Sequence, residues 1–434
     1  MFKISEHLDK ISWTAADKVI FLLYGFVNLV QIKFLGPSES GKFTMLLMVN
    51  TFILAIGDSF GLQTIIQYTA YKEERPKVLT LSLLNFVSFV FLSSLIVWLF
   101  KYQVATLMKA QYFVNIADYL VLLSMSLIFR AFAQKIMFRE YNFKGLFFSD
   151  LIFFGFLTVI TLYLIIFQRY LNWVLLTQSY IFSAFSSSIF SLFVVRKYLK
   201  FSFNGTIKNL ELVKFSGPLA ISSLLYNIPR TMEVYIIKYF FSIEIVGIYS
   251  SAKTLYRVFD EIGNAVYGLI YPVAAKLIKL NDKLNLKKLM EKSTSFLFVF
   301  ILALVIPLEL GLTDLIVKIF LGGKFLKAIP FFRLMLVGSL AYPLIAQSLV
   351  LIAANDLFYS IKSLIVANLI LVCSLITIGY TNQTYLIPLG VVFFNLSSGL
   401  FYYLRIKNRF NFEFKSIFSS IPDSYNFAKS VINK

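Results

Sequence analysis

FLGPSESGKF at residues 34–43 and FFSIEIVGIY at residues 240–249 each sit where one long apolar run gives way to the next, and together they decide how this chain is divided. In register they share Phe34 with Phe240 and Gly41 with Gly247, and an aromatic follows each glycine at Phe43 and Tyr249. The first copy closes the first apolar stretch and the second closes the seventh. An even number of spans between them gives both halves the same orientation in a bilayer, which is a parallel internal repeat of six spans.

Composition supports the same reading. The chain is 59% hydrophobic and 15% charged, with a mean hydropathy of +0.78, too apolar for one water-soluble core. A helix needs about 20 mostly apolar residues to cross a hydrocarbon layer of roughly 30 Å. About twelve stretches qualify, starting near Ala15, Phe43, Val78, Val114, Leu146, Trp173, Phe215, Ile245, Thr294, Phe331, Ile361 and Thr384. The fourth carries Asp118 near its start, and the eighth is long and charged. The expected fold is an all-α polytopic membrane protein with an N-terminal six-helix lobe at 1–198 and a C-terminal one at 215–404. An amphipathic linker at 199–214 joins them, and a tail follows at 405–434.

Residues 1–18 are polar and the first apolar run shows no small-residue cleavage pattern, so the first span is expected to stay in the membrane. Basic residues favour the loops on one side. That side gathers Lys72, Arg75 and Lys77; Arg130, Lys135, Arg139 and Lys144; Arg196 to Lys214; and Lys276 to Lys292. Both termini fall there and are expected to be cytoplasmic. The net charge of +19 is accounted for by this topology, with attraction to anionic lipid headgroups, and no nucleic-acid partner is implied. Cys373 and His7 stand alone, leaving no disulfide framework, metal cluster or histidine dyad, so no cofactor and no catalytic residue are expected.

Chemistry must then come from polar groups inside the spans, where a central charge costs roughly 2.5 to 3.5 kcal/mol. Arg230, Glu233 and Lys238 precede the second turn motif, and Lys253, Arg257, Asp260 and Glu261 follow it. Lys253, Arg257, Glu261, Asn264 and Gly268 recur at helical spacing and share one face directed away from lipid. In one reading Arg230, Lys253 and Arg257 bind the phosphate of an anionic substrate, the guanidinium forks suiting its oxygens. In the other, Glu233 pairs with Lys253, and Asp260 and Glu261 pair with Arg257 or Arg230, as ties or gates between helices. Asp58 in the second span has two readings as well, a carrier of a coupling ion or a member of a salt bridge. Other intramembrane polar residues, among them Gln31, Asn50, Gln347 and Asn395, read as interhelical hydrogen bonds.

With FLGPSESGKF closing span one, KFSGPLAISSLLYNIPR opening the second half, and FFSIEIVGIYSSAKTLYRVFDEI running on to YPVAAKL, the chain resembles the polysaccharide and O-antigen flippases of the multidrug/oligosaccharidyl-lipid/polysaccharide exporter superfamily over nearly its whole length. One departure is that Pro229 and Arg230 stand where the family often has an Asp-Arg pair. The resemblance implies two six-helix lobes around a central cavity. It also implies movement of a polyprenyl-pyrophosphate-linked oligosaccharide from the cytoplasmic to the periplasmic leaflet of a bacterial inner membrane. The glycan would be O-antigen, capsule or exopolysaccharide, and polymerase machinery a partner.

Two rivals lead elsewhere. A cation-coupled drug exporter of the same superfamily would be expected to show unpaired acids, whereas Arg230, Lys253 and Arg257 sit beside the acids here. A membrane glycosyltransferase, polymerase or ligase needs a large outer loop or paired carboxylates at the membrane edge, and the sequence has neither. The chain is read as a non-enzyme.

Overall fold

The computed structural model describes residues 8–69, 73–354 and 356–412, and among these every regular element is helical. His7, Lys72 and most of the expected tail, with Phe414 and Phe418, lie outside the described residues. Two compact units form, Met1–Tyr239 and Phe240–Lys434.

The first unit begins with α1 (Leu8–Gly57), 50 residues long and broken at Gly36, where φ is 76° and ψ 170°. At about 1.5 Å per residue it would measure roughly 75 Å, more than twice what a bilayer needs, so it holds the first two expected spans. Only glycine adopts the Gly36 conformation without strain, and Pro37 then starts the next helical run with its fixed φ. A π-helical turn at Asp58–Leu62 follows. There a Cβ on Gly61 would lie 2.7 Å from the Phe86 backbone nitrogen, so this glycine permits the close approach of α2 (Arg75–Leu99).

Next come α3 (Phe113–Arg139), α4 (Phe143–Tyr163) and α5 (Trp173–Val195). Asn142 and Asn172 cap the last two, their side chains accepting from the Gly145 and Leu175 amides at 3.0 and 2.8 Å. Ser179, Ser183, Ser187 and Ser191 form a buried stripe along α5 at a spacing of four, small enough for α3 and α4 to approach closely. Arg130 and Lys135, read from sequence as loop residues, lie inside α3, because that helix continues to Arg139. The positive loops are short, and much of their charge sits on helix ends.

Residues 199–208, expected as part of an amphipathic segment, contain no regular helix. Ser202, Asn204, Gly205 and Thr206 favour turns, and neighbouring groups take up the freed backbone. The Glu74 carboxylate accepts from the Thr206 amide, the Thr206 hydroxyl and the Ile207 amide at 2.8, 2.6 and 3.3 Å, while Lys77 donates to the Gly205 carbonyl at 2.8 Å. These bonds hold Glu74, at the head of α2, below the usual carboxylate range. Helix α6 (Asn209–Phe240) completes the unit, its Tyr235 hydroxyl donating to the Met45 carbonyl at 2.8 Å.

The second unit opens with α7 (Ile243–Lys279), capped by Ser242, and α8 (Lys283–Pro307), capped by Asp282. A bent pair follows, α9 (Ala328–Ser339) and a segment over Tyr342–Ala353, meeting at 43°. Pro343 in the first turn after the break cannot donate an amide, which suits a helix start there. Then come α10 (Leu357–Thr381) and α11 (Leu389–Phe410), which runs into the stretch expected as tail. Leu286, Met290, Leu297, Val350, Leu351 and Ile406 form a buried cluster closed by Phe412. Beside it, Asp356 accepts from Arg405 Nε at 2.7 Å and Arg409 Nη1 at 2.8 Å.

Among the described residues, eight helices are long and apolar enough to cross a membrane, or nine with the bent pair counted as one span. The first of them, 53 residues long, is divided by Gly36, and α6 and α7 coincide with the charged seventh and eighth expected spans. The chain is a multi-pass α-helical membrane protein.

Candidate functional site

The charged residues singled out from sequence fall on α6 and α7. Arg230 lies on α6, and its side chain, like those of Asn264 and Tyr267 on α7, lies outside the described residues. Glu233 is fully buried on the same helix. On α7, Lys253 is half-buried, while Arg257 and Glu261 are exposed. Ala252, Tyr256, Phe259 and Gly263 occupy the buried side of that helix. The helix thus has one packed face and one face carrying Arg257 and Glu261. Arg257 is fourteen residues from Ile243, which sets it about 21 Å along the helix.

Asp260, expected to pair with Arg257 or Arg230, accepts a hydrogen bond from the Tyr342 hydroxyl in the bent pair. Tyr342 lies 6.2 Å, ring to ring, from Tyr256, whose hydroxyl in turn accepts from Asn395 Nδ2 at 3.2 Å. An acid, two tyrosines and an amide from α7, the bent span and α11 therefore form one connected polar network. Tyr256 is buried in it, whereas Tyr226 on α6 is exposed.

Asp58 is engaged on two sides, by Lys135 Nζ at 2.8 Å and by Gln63 Nε2 at 3.0 Å. This is the salt bridge that sequence left as the alternative to ion carriage. Other intramembrane polar residues bond between helices as expected. Gln31 donates to Thr161 at 3.2 Å, Asn50 accepts from Ser124 at 2.9 Å, and Gln347 donates to Thr294 at 2.8 Å.

A second charged group was missed from sequence. Inside the first unit the Arg130 guanidinium pairs with Asp150, both side chains at most 15% exposed. Arg130 Nε also donates to Ser187 at 3.2 Å, and the guanidinium lies 4.4 Å from the Phe153 ring centre. Gln134 Nε2 donates to Asp150 at 2.7 Å, and Asp17 of α1 lies within electrostatic reach of both Asp150 and Arg130. Two carboxylates and one guanidinium from α1, α3 and α4 thus share a largely dry interior, ringed by Ser149, Ser187 and Ser191. The available signal was the spacing Arg130–Gln134, one helical turn, combined with the serine stripe of α5. The sequence reading overlooked it because Arg130 was counted as a loop charge.

Residues 32–330 match the model of a family described as polysaccharide biosynthesis protein. The chain belongs to that family. A search of curated proteins by sequence finds no match. Among solved structures, an inward-facing multidrug resistance MATE family transporter of the MOP superfamily superposes with a TM-score of 0.75 at 14% identity, covering 90% of this chain and 94% of that one. The lipid II flippase MurJ in an inward closed conformation gives 0.74 at 14%, covering 98% and 93%. A MOP superfamily transporter from Pyrococcus furiosus, described as having a binding pocket of reverse polarity, gives 0.60 at 15%, covering 93% and 94%. These likenesses establish the fold, the two-lobed helical architecture of the MOP transporters, as the sequence resemblance implied.

Proposed function

We propose that this family member is a flippase that moves a polyprenyl-pyrophosphate-linked oligosaccharide from the cytoplasmic to the periplasmic leaflet of a bacterial inner membrane, for cell-surface polysaccharide assembly. The observation that carries the reading is the match to the polysaccharide biosynthesis family over residues 32–330, on a fold shared with a lipid II flippase along 98% of this chain. The chemistry of α7 supports it. A face presenting Arg257 and Glu261 at bilayer depth is too costly to turn toward hydrocarbon, so it lines water. Arg257, with Lys253 one turn away and Arg230 on α6, supplies the cations a pyrophosphate needs. Glu233, Asp260 and Glu261 are proposed as the acids that exchange partners with them, and Asp58 acts through its salt bridge.

The cargo divides between two solvents. Its glycan needs a wet cavity, while its polyprenyl tail can stay in lipid. Moving about two negative charges out of a negative cytoplasm releases roughly 4 to 5 kcal/mol per 100 mV, so membrane potential assists export. In this reading both termini are cytoplasmic, and the lobes at 1–198 and 215–404 alternate access about the linker at 199–214.

The test is the leaflet location of the lipid-linked oligosaccharide in spheroplasts, read with an impermeant glycan-modifying reagent. Deletion should trap precursor inside, wild type should restore it outside, and Arg257→Ala should not. Unchanged export on deletion would remove the proposal, and drug-efflux assays would then probe the MATE-like reading.

A further inference from the structure

A second set of cations, to which α6 contributes Lys238, lies at the end of the first unit that carries the Gly36 turn. Lys238, in the last turn of α6, is 7% exposed. Its ammonium donates to the Met108 carbonyl at 3.1 Å, and among the described residues no carboxylate reaches it. A lysine ammonium has three N–H donors, so two are left for another acceptor.

The Tyr235–Met45 hydrogen bond fixes what surrounds it. Lys238 is three residues beyond Tyr235 on α6, and Lys42 is three residues before Met45 on α1. Each lysine is therefore about 4.5 Å further along its helix toward the same turn end, on the face that makes the bond. Between the two helices comes the turn over residues 108–112. Lys42 Nζ stands 5.7 Å from the centre of the Tyr112 ring, and the Tyr112 hydroxyl is buried without a hydrogen-bond partner. Lys109, exposed in the same turn, adds a further positive charge. Among the described residues, Glu39 is the acid that pairs with this set, held by Lys42 at 2.6 Å and by the Trp173 amide at 3.1 Å. Counting the three lysines against Glu39, the end stays net positive.

We propose that Lys42, Lys238 and the Tyr112 hydroxyl form a binding site for a phosphate or pyrophosphate group, a station separate from Arg230, Lys253 and Arg257. The buried ammonium and the orphaned hydroxyl are complementary to an anion with several oxygens. Two sources share this chemistry, the headgroup phosphate of an anionic lipid and the pyrophosphate of the cargo, and the second rests on the flippase reading. On that reading the Gly36 turn is at the periplasmic end, and the station receives the pyrophosphate as it leaves.

The experiment is equilibrium binding of radiolabelled inorganic pyrophosphate to the full-length protein in phosphatidylcholine nanodiscs. Lys238→Met should weaken binding about tenfold and Tyr112→Phe about threefold. Lys238→Arg should keep most of it. Thermal midpoints within a few degrees of wild type establish that the variants are folded. Repeating the titration with phosphatidylglycerol in the nanodisc identifies the source. If the lipid abolishes pyrophosphate binding the site holds a headgroup, and if binding persists it holds a mobile phosphate cargo. Unchanged affinity in folded Lys238→Met and Tyr112→Phe, or no binding by wild type at millimolar pyrophosphate, overturns the site and leaves Lys238 as a counter-charge to the helix dipole. Neither result depends on the spheroplast assay, so the station and the flippase reading fail separately.

Discussion

Replacing Arg130 by methionine tests whether the buried group in the first unit is a true ion cluster. The substitution preserves apolar bulk but removes the partner of Asp150, the bond to Ser187 and the contact with Phe153. Asp150 keeps Gln134 but stays largely buried with Asp17 nearby, now without the compensating cation. Breaking a buried ion pair from one side costs about 3–5 kcal/mol. For a unit of this size each kcal/mol moves the thermal midpoint by about 2–4 °C, so even the lower figure predicts a loss of about 6–12 °C. The assay is thermal unfolding of purified protein in nanodiscs at one scan rate, because membrane proteins seldom unfold reversibly. Arg130→Met combined with Asp150→Leu should recover most of the loss, since an apolar replacement of the whole pair leaves no uncompensated charge. A single variant that loses less than about 2 °C, or a double variant no more stable than the single, would refute the reasoning.

Other outcomes follow from the same geometry. Gly61→Val should abolish monodisperse expression, read by fluorescence-detected size exclusion, because its side chain would collide with the Phe86 backbone. Asp58→Asn should cost about 1 kcal/mol or less, as a partly exposed pair, and leave the pH profile of transport unchanged; a shifted profile would restore the ion-carrier reading. Hydrogen bonds from Arg405 and Arg409 hold Asp356 below the ordinary value of 3.8. A depressed carboxylate stabilises the fold above the unfolded value and loses that contribution as pH falls from about 3.8 through the folded one. The midpoint gap between wild type and Asp356→Asn should therefore be constant from pH 7 to 5 and close only below about pH 4; a gap that closes near neutrality would contradict the pairing.

Much of the fold was legible because membrane helices are written in long apolar runs, and Gly36 with Pro37 shows how a sequence break becomes a turn. Helix ends were harder to place. Arg130 and Lys135 looked like loop residues because a charged stretch resembles a loop in composition, yet their helix continues to Arg139. The linker, expected as an amphipathic segment, has no regular helix over residues 199–208, because Glu74 captures the Thr206 and Ile207 amides and holds the chain in turns.

The sequence by itself determined the class and the chemistry within reach. Hydrophobic content, run length and the positions of Arg257, Lys253 and Asp58 are properties of the chain alone. Only the tertiary structure decided partnership. That Asp58 meets Lys135, Asp260 meets Tyr342, Asp150 meets Arg130, and Lys238 faces a carbonyl instead of an acid depends on which helix faces are brought together. Helical periodicity fixes which residues share a face, whereas the packing of several helices fixes what each face meets.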